Sequence, residues 1–135
     1  MARPYLGGSA AGVKSLSAAA TLTMADSGKT IFVTEGAAAY DITLPAVSEK
    51  GCEFVFILTA SPTTHDIDIV SVAGDDIIGI EFADEDTAAA TDSDWDKITF
   101  STSAAAGSFI KMVSNGTNWF AHIFGQADGA FTQTD

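Results

Sequence analysis

The segment that most constrains the fold is 107–124, with the sequence GSFIKMVSNGTNWFAHIF. At its centre, Asn115 and Gly116 tolerate the positive φ that a tight turn requires, and apolar residues are concentrated on both sides of them. This pattern predicts a β-hairpin. A strand pair so rich in aromatic residues cannot leave both faces in water, so we expect a second sheet or a partner subunit to pack against it.

Further β-strand signals recur at short intervals before the hairpin. They are rich in β-branched and aromatic residues and are separated by turn residues. The segments are TIFVTE (30–35), YDITL (40–44), EFVFILT (53–59), DIDIVSV (66–72), IIGIEF (77–82) and KITFS (97–101). The near-continuous apolar character of 53–59 predicts a strand covered on both faces. With the hairpin these segments make about eight short strands, which predicts an all-β fold, an antiparallel, jelly-roll-like sandwich.

The first 29 residues differ from the rest of the chain. They are rich in Ala, Gly and Ser and carry three cations and one acid, a net charge of +2, which leaves −14 for residues 30–135 and −12 for the whole. We expect an extended N-terminal arm (1–29) that docks on a neighbouring chain, with a loose terminus or a short helix within 10–20 as alternatives. The sandwich then covers 30–125, and 126–135 is a tail with Phe131 as its large anchor.

The composition limits the classes of partner. Hydrophobic residues make up 47% of a chain of 135 residues whose formal charge is −12, so an apolar interior coexists with an acidic exterior. Such a chain is expected to form a homo-oligomer, because obligate interfaces are more apolar than ordinary surface. With only six Lys and Arg we expect no nucleic-acid partner, and no apolar stretch is long enough to predict a signal or a membrane span.

The residue types that carry catalysis are sparse. Cys52 is the only cysteine and begins an apolar run, which predicts a buried hydrophobe, not a reactive thiol. His65 and His122 have no sequence-evident nucleophile or metal partner. We therefore expect no enzyme activity, no catalytic residues and no cofactor.

Acidic residues are concentrated in one region. Eleven of the eighteen acids lie within 66–96, and Asp92, Asp94 and Asp96 alternate as they do at the start of a calcium-binding loop. The rest of that loop is missing, because its sixth position is Lys97 instead of glycine and its twelfth is Ser103 instead of glutamate. We expect a solvated acidic loop with no bound metal, although a bound cation remains the alternative.

Trp119 and Phe120 are adjacent in the second arm of the hairpin. Side chains of neighbouring strand residues point to opposite faces, so one of the two is expected in the core and the other against a neighbouring subunit or surface. This favours an interaction protein over an enzyme.

Five segments together resemble a β domain found in virion proteins of tailed bacteriophages. They are DSGKTIFVT (26–34), DITLPA (41–46), GCEFVFIL (51–58), DDIIG (75–79) and GSFIKMVSNGTNWF (107–120). The resemblance covers about residues 26–124. Within that group, a chain of this size most resembles a capsid decoration (cement) protein, and a receptor-binding or adaptor β module of a tail or fibre is the alternative.

The resemblance implies a structural role. It implies a homotrimer on the outer surface of a phage capsid, made in the cytoplasm of the host bacterium, that stabilises the shell by bridging subunits of the major capsid protein. A terminal arm often contributes to such contacts. The residues expected to contact the capsid or a neighbouring subunit are Arg3, Tyr5, Leu6, Lys14, Trp119 and Phe120.

Overall fold

A computed structural model describes residues 12–83, 91–126 and 129–135, and these form two stacked β-sheets. The strands of the seven-stranded sheet, in spatial order, are β1 (Val13–Leu16), β3 (Thr30–Val33), β5 (Glu53–Leu58), β10 (Phe109–Ser114), β11 (Trp119–Gly125), β7 (Ile77–Ala83) and β8 (Thr91–Trp95). Those of the five-stranded sheet are β12 (Phe131–Thr134), β9 (Lys97–Phe100), β6 (Ile67–Val70), β4 (Tyr40–Thr43) and β2 (Ala20–Thr21). A short 3-10 helix, Met24–Asp26, follows β2.

The first six strands form a parallel coil. The chain alternates between the sheets, so β1, β3 and β5 are parallel neighbours in one sheet while β2, β4 and β6 are parallel neighbours in the other. Parallel strands need a long crossover connection, and here the crossover is itself a strand of the opposite sheet. Each turn of the coil thus adds one strand to each sheet.

The second half of the chain closes both sheets with a different pattern. The hairpin β10–β11 is antiparallel, β10 pairs antiparallel with β5, and β11 pairs parallel with β7. In the other sheet, β6, β9 and β12 are joined by antiparallel pairs. The antiparallel pairing of β7 with β8 completes the seven-stranded sheet.

The core lies between the two sheets and follows the period-two alternation of the strands. In β5 the inward residues Phe54, Phe56 and Leu58 are buried, whereas Val55 and Ile57 are half-buried on the outer face. The prediction that this strand is covered on both faces is therefore wrong for the chain by itself. Side chains from both sheets fill the core, and the largest that are fully buried include Trp119, Phe54, Phe56 and Phe100.

The predicted hairpin is confirmed, with a wider turn than the sequence indicates. Ser114 pairs with Trp119, which leaves 115–118 as a four-residue turn. The Asn115 side-chain oxygen accepts the backbone N–H groups of Thr117 and Asn118, both at 2.9 Å. Gly116 has φ = 96°, a conformation that glycine adopts without strain. The turn is thus fixed by one side chain and one glycine.

The all-β sandwich and all eight predicted strands are confirmed, whereas the antiparallel, jelly-roll-like topology is not, and two features differ. Five of the ten strand pairings among the described residues are antiparallel and five are parallel, so the sandwich is mixed. The described part also has four unpredicted strands, β1, β2, β8 and β12, each at an edge of a sheet. Edge strands are buried less completely, so their sequences carry a weaker pattern.

The predicted arm and tail are parts of the sandwich where the structure describes them. Residues 12–29 contribute β1 and β2, and Leu22 is 1% exposed, so this segment is not a separate arm. Residues 1–11 lie outside the described part. In the predicted tail, β12 pairs with β9, and Phe131 is buried against Phe100 with ring centroids 4.9 Å apart.

Gly79 provides a test of this packing. A Cβ at Gly79 would overlap the ring of Trp95, a buried residue at the end of the neighbouring strand β8. We expect Gly79→Ala to lower the free energy of unfolding by about 1–3 kcal/mol, since overpacking a filled core forces side chains to shift. Gly12→Ala is the matched control, because no atom of the described residues lies within 4 Å of its added Cβ. Equal urea midpoints for the two variants would contradict the packing at Trp95.

Candidate interaction surface

The outer face of the five-stranded sheet is polar. It carries a cluster in which Asp68 accepts hydrogen bonds from the Lys97 ammonium at 3.0 Å and from the Thr99 hydroxyl at 2.6 Å. The other outward residues on its strands include Thr21, Asp41, Thr43, Thr132 and Thr134. This face is well suited to contact with water.

The outer face of the seven-stranded sheet is apolar. Its outward side chains on the four strands from β5 to β7 are mostly aromatic or aliphatic and half-buried or exposed. We call one group of them the aromatic patch, comprising Ile78, Ile80, Phe82, Phe109, Phe120 and Phe124. Val55, Ile57 and Val113 extend the apolar surface beside it.

Strand register builds the centre of the aromatic patch. Phe124 is paired with Phe82 on one neighbouring strand and with Phe109 on the other. The three rings form a stack, with centroids of Phe124 lying 5.1 Å from Phe82 and 4.7 Å from Phe109. Phe82 is 48% exposed and Phe124 is 38% exposed, so the stack leaves much of its apolar surface in solvent. Exposed aromatic surface of this kind makes the patch a candidate for contact with another molecule.

Few charges interrupt this face. On β5, β10, β11 and β7 the outward ionisable side chains are Glu53, Lys111 and His122. Lys111 and His122 are exposed and directly opposite each other in the hairpin. The acidic excess of the chain thus lies elsewhere, and depletion of charge is what distinguishes the centre of an interface from other surface.

The structure separates the two adjacent aromatic residues as alternation predicts. Trp119 is 0% exposed, with its ring centroid 6.0 Å from that of Phe54, so it is a core residue and cannot contact a partner. Its inclusion among the contact residues is therefore wrong. Phe120 is half-buried on the outer face and belongs to the aromatic patch. Arg3, Tyr5 and Leu6 lie outside the described residues.

Lys14 is engaged within the chain. One carboxylate oxygen of Asp26 lies 3.2 Å from the Lys14 ammonium and 2.9 Å from the Lys29 ammonium. The other oxygen accepts the Thr23 backbone N–H at 3.1 Å. Burial raises the pKa of Asp26, but the hydrogen bonds from Lys29, Thr23 and Lys14 outweigh it and lower the pKa to about 2. Lys14 thus ties β1 to the 3-10 helix, and its charge is already paired.

His65 lies in a loop and Cys52 in the core. His65 belongs to a loop whose backbone N–H groups, from Thr63, Thr64 and His65, donate to the Glu35 carboxylate at 2.6–2.8 Å. Those bonds lower the pKa of Glu35 to about 2. Cys52 is fully buried, as predicted, and burial raises the pKa of its thiol, which disfavours the reactive thiolate.

Several acidic side chains accept hydrogen bonds from the backbone of loops. Asp75 accepts the Val47 N–H at 2.7 Å and Asp66 accepts the Thr102 N–H at 3.1 Å. Residues 84–90 and the side chain of Asp92 lie outside the described part, and with them four of the eleven acids of this region. Among the described residues, no group of three or more His, Cys, Asp or Glu is placed to hold a metal ion.

Sequence reasoning missed most of the aromatic patch, although a signal was present. In β7 the sequence IIGIEF places isoleucines at both odd and even positions, so one apolar set must point away from the core. Pairing partners decide whether the outward residues form one surface, and the parallel pairing of β7 with β11 could not be deduced from either segment.

Comparisons with known proteins identify no relative. No family model, no curated protein and no solved structure matches the chain. The resemblance to phage decoration proteins therefore stays a prediction. Within the described residues no helix has the length and apolar character required to cross a membrane.

The Asp26 cluster leads to a pH-dependent prediction. Because the native pKa of Asp26 is about 2, below the ordinary 3.8, its stabilisation is complete above pH 3.8 and is lost as pH falls through 2. We expect Asp26→Asn to lower the free energy of unfolding by about 2 kcal/mol at pH 7, and the difference from wild type to shrink toward pH 2. Chemical unfolding at several pH values measures this, with Asp41→Asn, an exposed acid, as control. A gap that stayed constant with pH would contradict the role given to the carboxylate.

Proposed function

We propose that this chain is a non-catalytic structural protein that binds other protein surfaces through the aromatic patch. The observation that carries the proposal is the stack of Phe82, Phe124 and Phe109 on the outer face of the sheet, next to a core that is already complete without it. Rigid aromatic side chains supply most of the binding energy in many interfaces. A partner that covers this face removes apolar surface from water without burying many charges.

We further propose that the partner surface belongs to a phage capsid. In this proposal the chain decorates the outer surface of the shell as a homotrimer and stabilises it by bridging subunits of the major capsid protein. The resemblance of residues 26–124 to decoration proteins motivates this assignment, and the contrast between the two sheets supports it. The apolar face suits a contact, while the Thr- and Asp-bearing face suits exposure to solvent.

The proposed mechanism is mechanical. Each docked oligomer contacts more than one shell subunit, so pulling those subunits apart must also break its contacts. Linked weak contacts act at high effective concentration, so many of them across a lattice strengthen the shell more than their individual affinities indicate. The chain as a whole has a net charge of −12, and this charge keeps decorated particles apart by repulsion.

The aromatic patch can be tested by counting copies on virus particles. Quantitative mass spectrometry of purified particles, against the major capsid protein, is expected to find hundreds of wild-type copies. Phe82→Ser with Phe124→Ser should reduce that number at least tenfold, because both rings are exposed and together provide the apolar contact.

The matched control is Val72→Ser, which removes an exposed apolar side chain outside the patch, on the loop after β6. The copy number of this variant on purified particles should equal that of wild type. A handful of wild-type copies per particle would instead indicate a tail or fibre adaptor, and absence from particles would contradict both readings. Full retention of the double variant, with an unchanged melting temperature, would contradict the role of the patch.

The predicted arm residues Arg3, Tyr5 and Leu6 call for a second variant. A truncation should remove residues 1–11 and stop there, because Val13 already pairs with Thr30 in the sheet. If those residues anchor the protein to the shell, the truncated chain should keep the wild-type melting temperature and lose particle binding. Binding equal to that of the full chain would contradict the docking role of the arm.

A further inference from the structure

A cavity of about 310 Å³ opens on the seven-stranded sheet, away from the aromatic patch. It lies over β1, β3 and β5, whereas the patch lies on β10, β11 and β7. With neighbouring strands about 4.8 Å apart, Phe32 on β3 is roughly 14 Å from the β11 column of the patch. The residues that line the cavity are Ser15, Leu16, Ser17, Phe32, Thr34 and Thr59.

The lining combines one aromatic ring with four hydroxyl groups. Phe32 points outward from β3 and is half-buried, and the hydroxyls belong to Ser15, Ser17, Thr34 and Thr59. Among the described residues, no charged side chain lines the cavity. Lys14, which precedes the lining residue Ser15 on β1, forms an ion pair with Asp26.

The four hydroxyls differ in the hydrogen-bond donors and acceptors that they leave available to a ligand. The Thr59 hydroxyl donates to the Val33 carbonyl at 3.1 Å and is also in contact with the Thr34 hydroxyl. Thr59 has therefore used its proton, so Thr34 donates to Thr59 and keeps its lone pairs for a ligand. Among the described residues, Ser15 and Ser17 have no hydrogen-bond partner for their hydroxyls, which leaves two donors at one side of the cavity.

The walls of the cavity are held in place by backbone contacts. The Tyr40 hydroxyl lies 3.2 Å from the Leu16 carbonyl and 2.7 Å from the Thr34 carbonyl, so it links the ends of β1 and β3. The Thr34 N–H also donates to the Leu16 carbonyl at 3.0 Å. Beyond Leu16, a Cβ at Gly36 would lie 2.5 Å from the Ser17 carbonyl, so the β1–β2 turn depends on a glycine there. The site is preformed, which lowers the entropy lost on binding.

This chemistry excludes several classes of ligand. In the described lining an anion or a nucleic acid would find no cation, and a metal ion would find no carboxylate or imidazole. A peptide could not pair with β3 or β5 here, because the backbone groups of both strands are already paired with neighbouring strands, and strand addition is left only to the outer edge of β1. A purely apolar group would bury the Ser15 and Ser17 hydroxyls without partners, which is unfavourable.

We propose that the cavity binds one ring of a neutral carbohydrate. A pyranose has an apolar C–H surface that packs on an aromatic side chain, and its hydroxyls both donate and accept, as this lining requires. The volume is at the lower end of the range for ligand sites, which suits one sugar ring or two. The site is independent of the capsid assignment, because it shares no residue with the aromatic patch.

The test is saturation-transfer NMR on the full chain with methyl glycosides of glucose, galactose, mannose and N-acetylglucosamine. A ligand of this size with one aromatic contact is expected to bind with a dissociation constant on the order of 1 mM. At least one glycoside should receive saturation, and backbone amide shifts should move at residues 15–17, 32–34 and 59. Absence of saturation for the whole panel, or shifts confined to other residues, would overturn the proposal.

Two variants and one control locate the contact. Phe32→Leu keeps an apolar residue without the ring and should weaken binding at least tenfold. Ser15→Ala with Ser17→Ala should weaken it several-fold while the melting temperature stays unchanged, because neither hydroxyl bonds within the described chain. Phe82→Leu, on the aromatic patch, should bind sugar like wild type. If Phe32→Leu and Phe82→Leu bound equally well, the carbohydrate site would not be in this cavity.

Discussion

The pairing of β10 with β11 holds the seven-stranded sheet together. On one side β10 joins the last strand of the parallel coil, and on the other β11 joins β7. Without the hairpin, β1, β3 and β5 would be separated from β7 and β8, and the five-stranded sheet would have no continuous layer to pack on. The inward residues Ile110, Met112, Trp119 and Ile123 are all fully buried, so the hairpin also fills the middle of the core. Its short turn makes it the most local pairing in a fold otherwise assembled from distant segments.

The elements that could be predicted are the ones buried on at least one complete face. Segments such as YDITL and DIDIVSV alternate because one face of each strand meets the core, and that pattern is visible in the sequence. The four strands that were missed are the edge strands. VKSL, AT, TDSDW and FTQT each contain at most two apolar residues, which is too few to show the alternation that would identify a strand.

The directions of neighbouring strands could not be predicted from the alternation of residues in the sequence. A period of two places residues on faces, but it is the same for parallel and antiparallel neighbours. Direction is set by how the connections run, and in this chain each connection of the first half passes through the opposite sheet. Segments separated by turns would also suit hairpins, so an antiparallel sandwich was the natural expectation. The Lys14–Asp26 ion pair was hidden for the same reason, because its geometry depends on β1 being a strand of the sheet.

The residues of the aromatic patch are different from the residues that form the core. Stability comes mainly from the inward side chains, and the alternation within each strand keeps these distinct from the outward ones. On β11, Trp119 fills the core while its neighbour Phe120 faces outward, and on β7 Ile77 is buried while Ile78 is half-buried outside. An outward residue adds little to a core that is already filled, so polar residues could occupy these positions without loss of the fold. Thr and Asp do occupy the corresponding positions of the five-stranded sheet. The core does not require the apolar outer face of the seven-stranded sheet, and the contrast with the polar outer face of the five-stranded sheet is the observation on which the proposed contact rests.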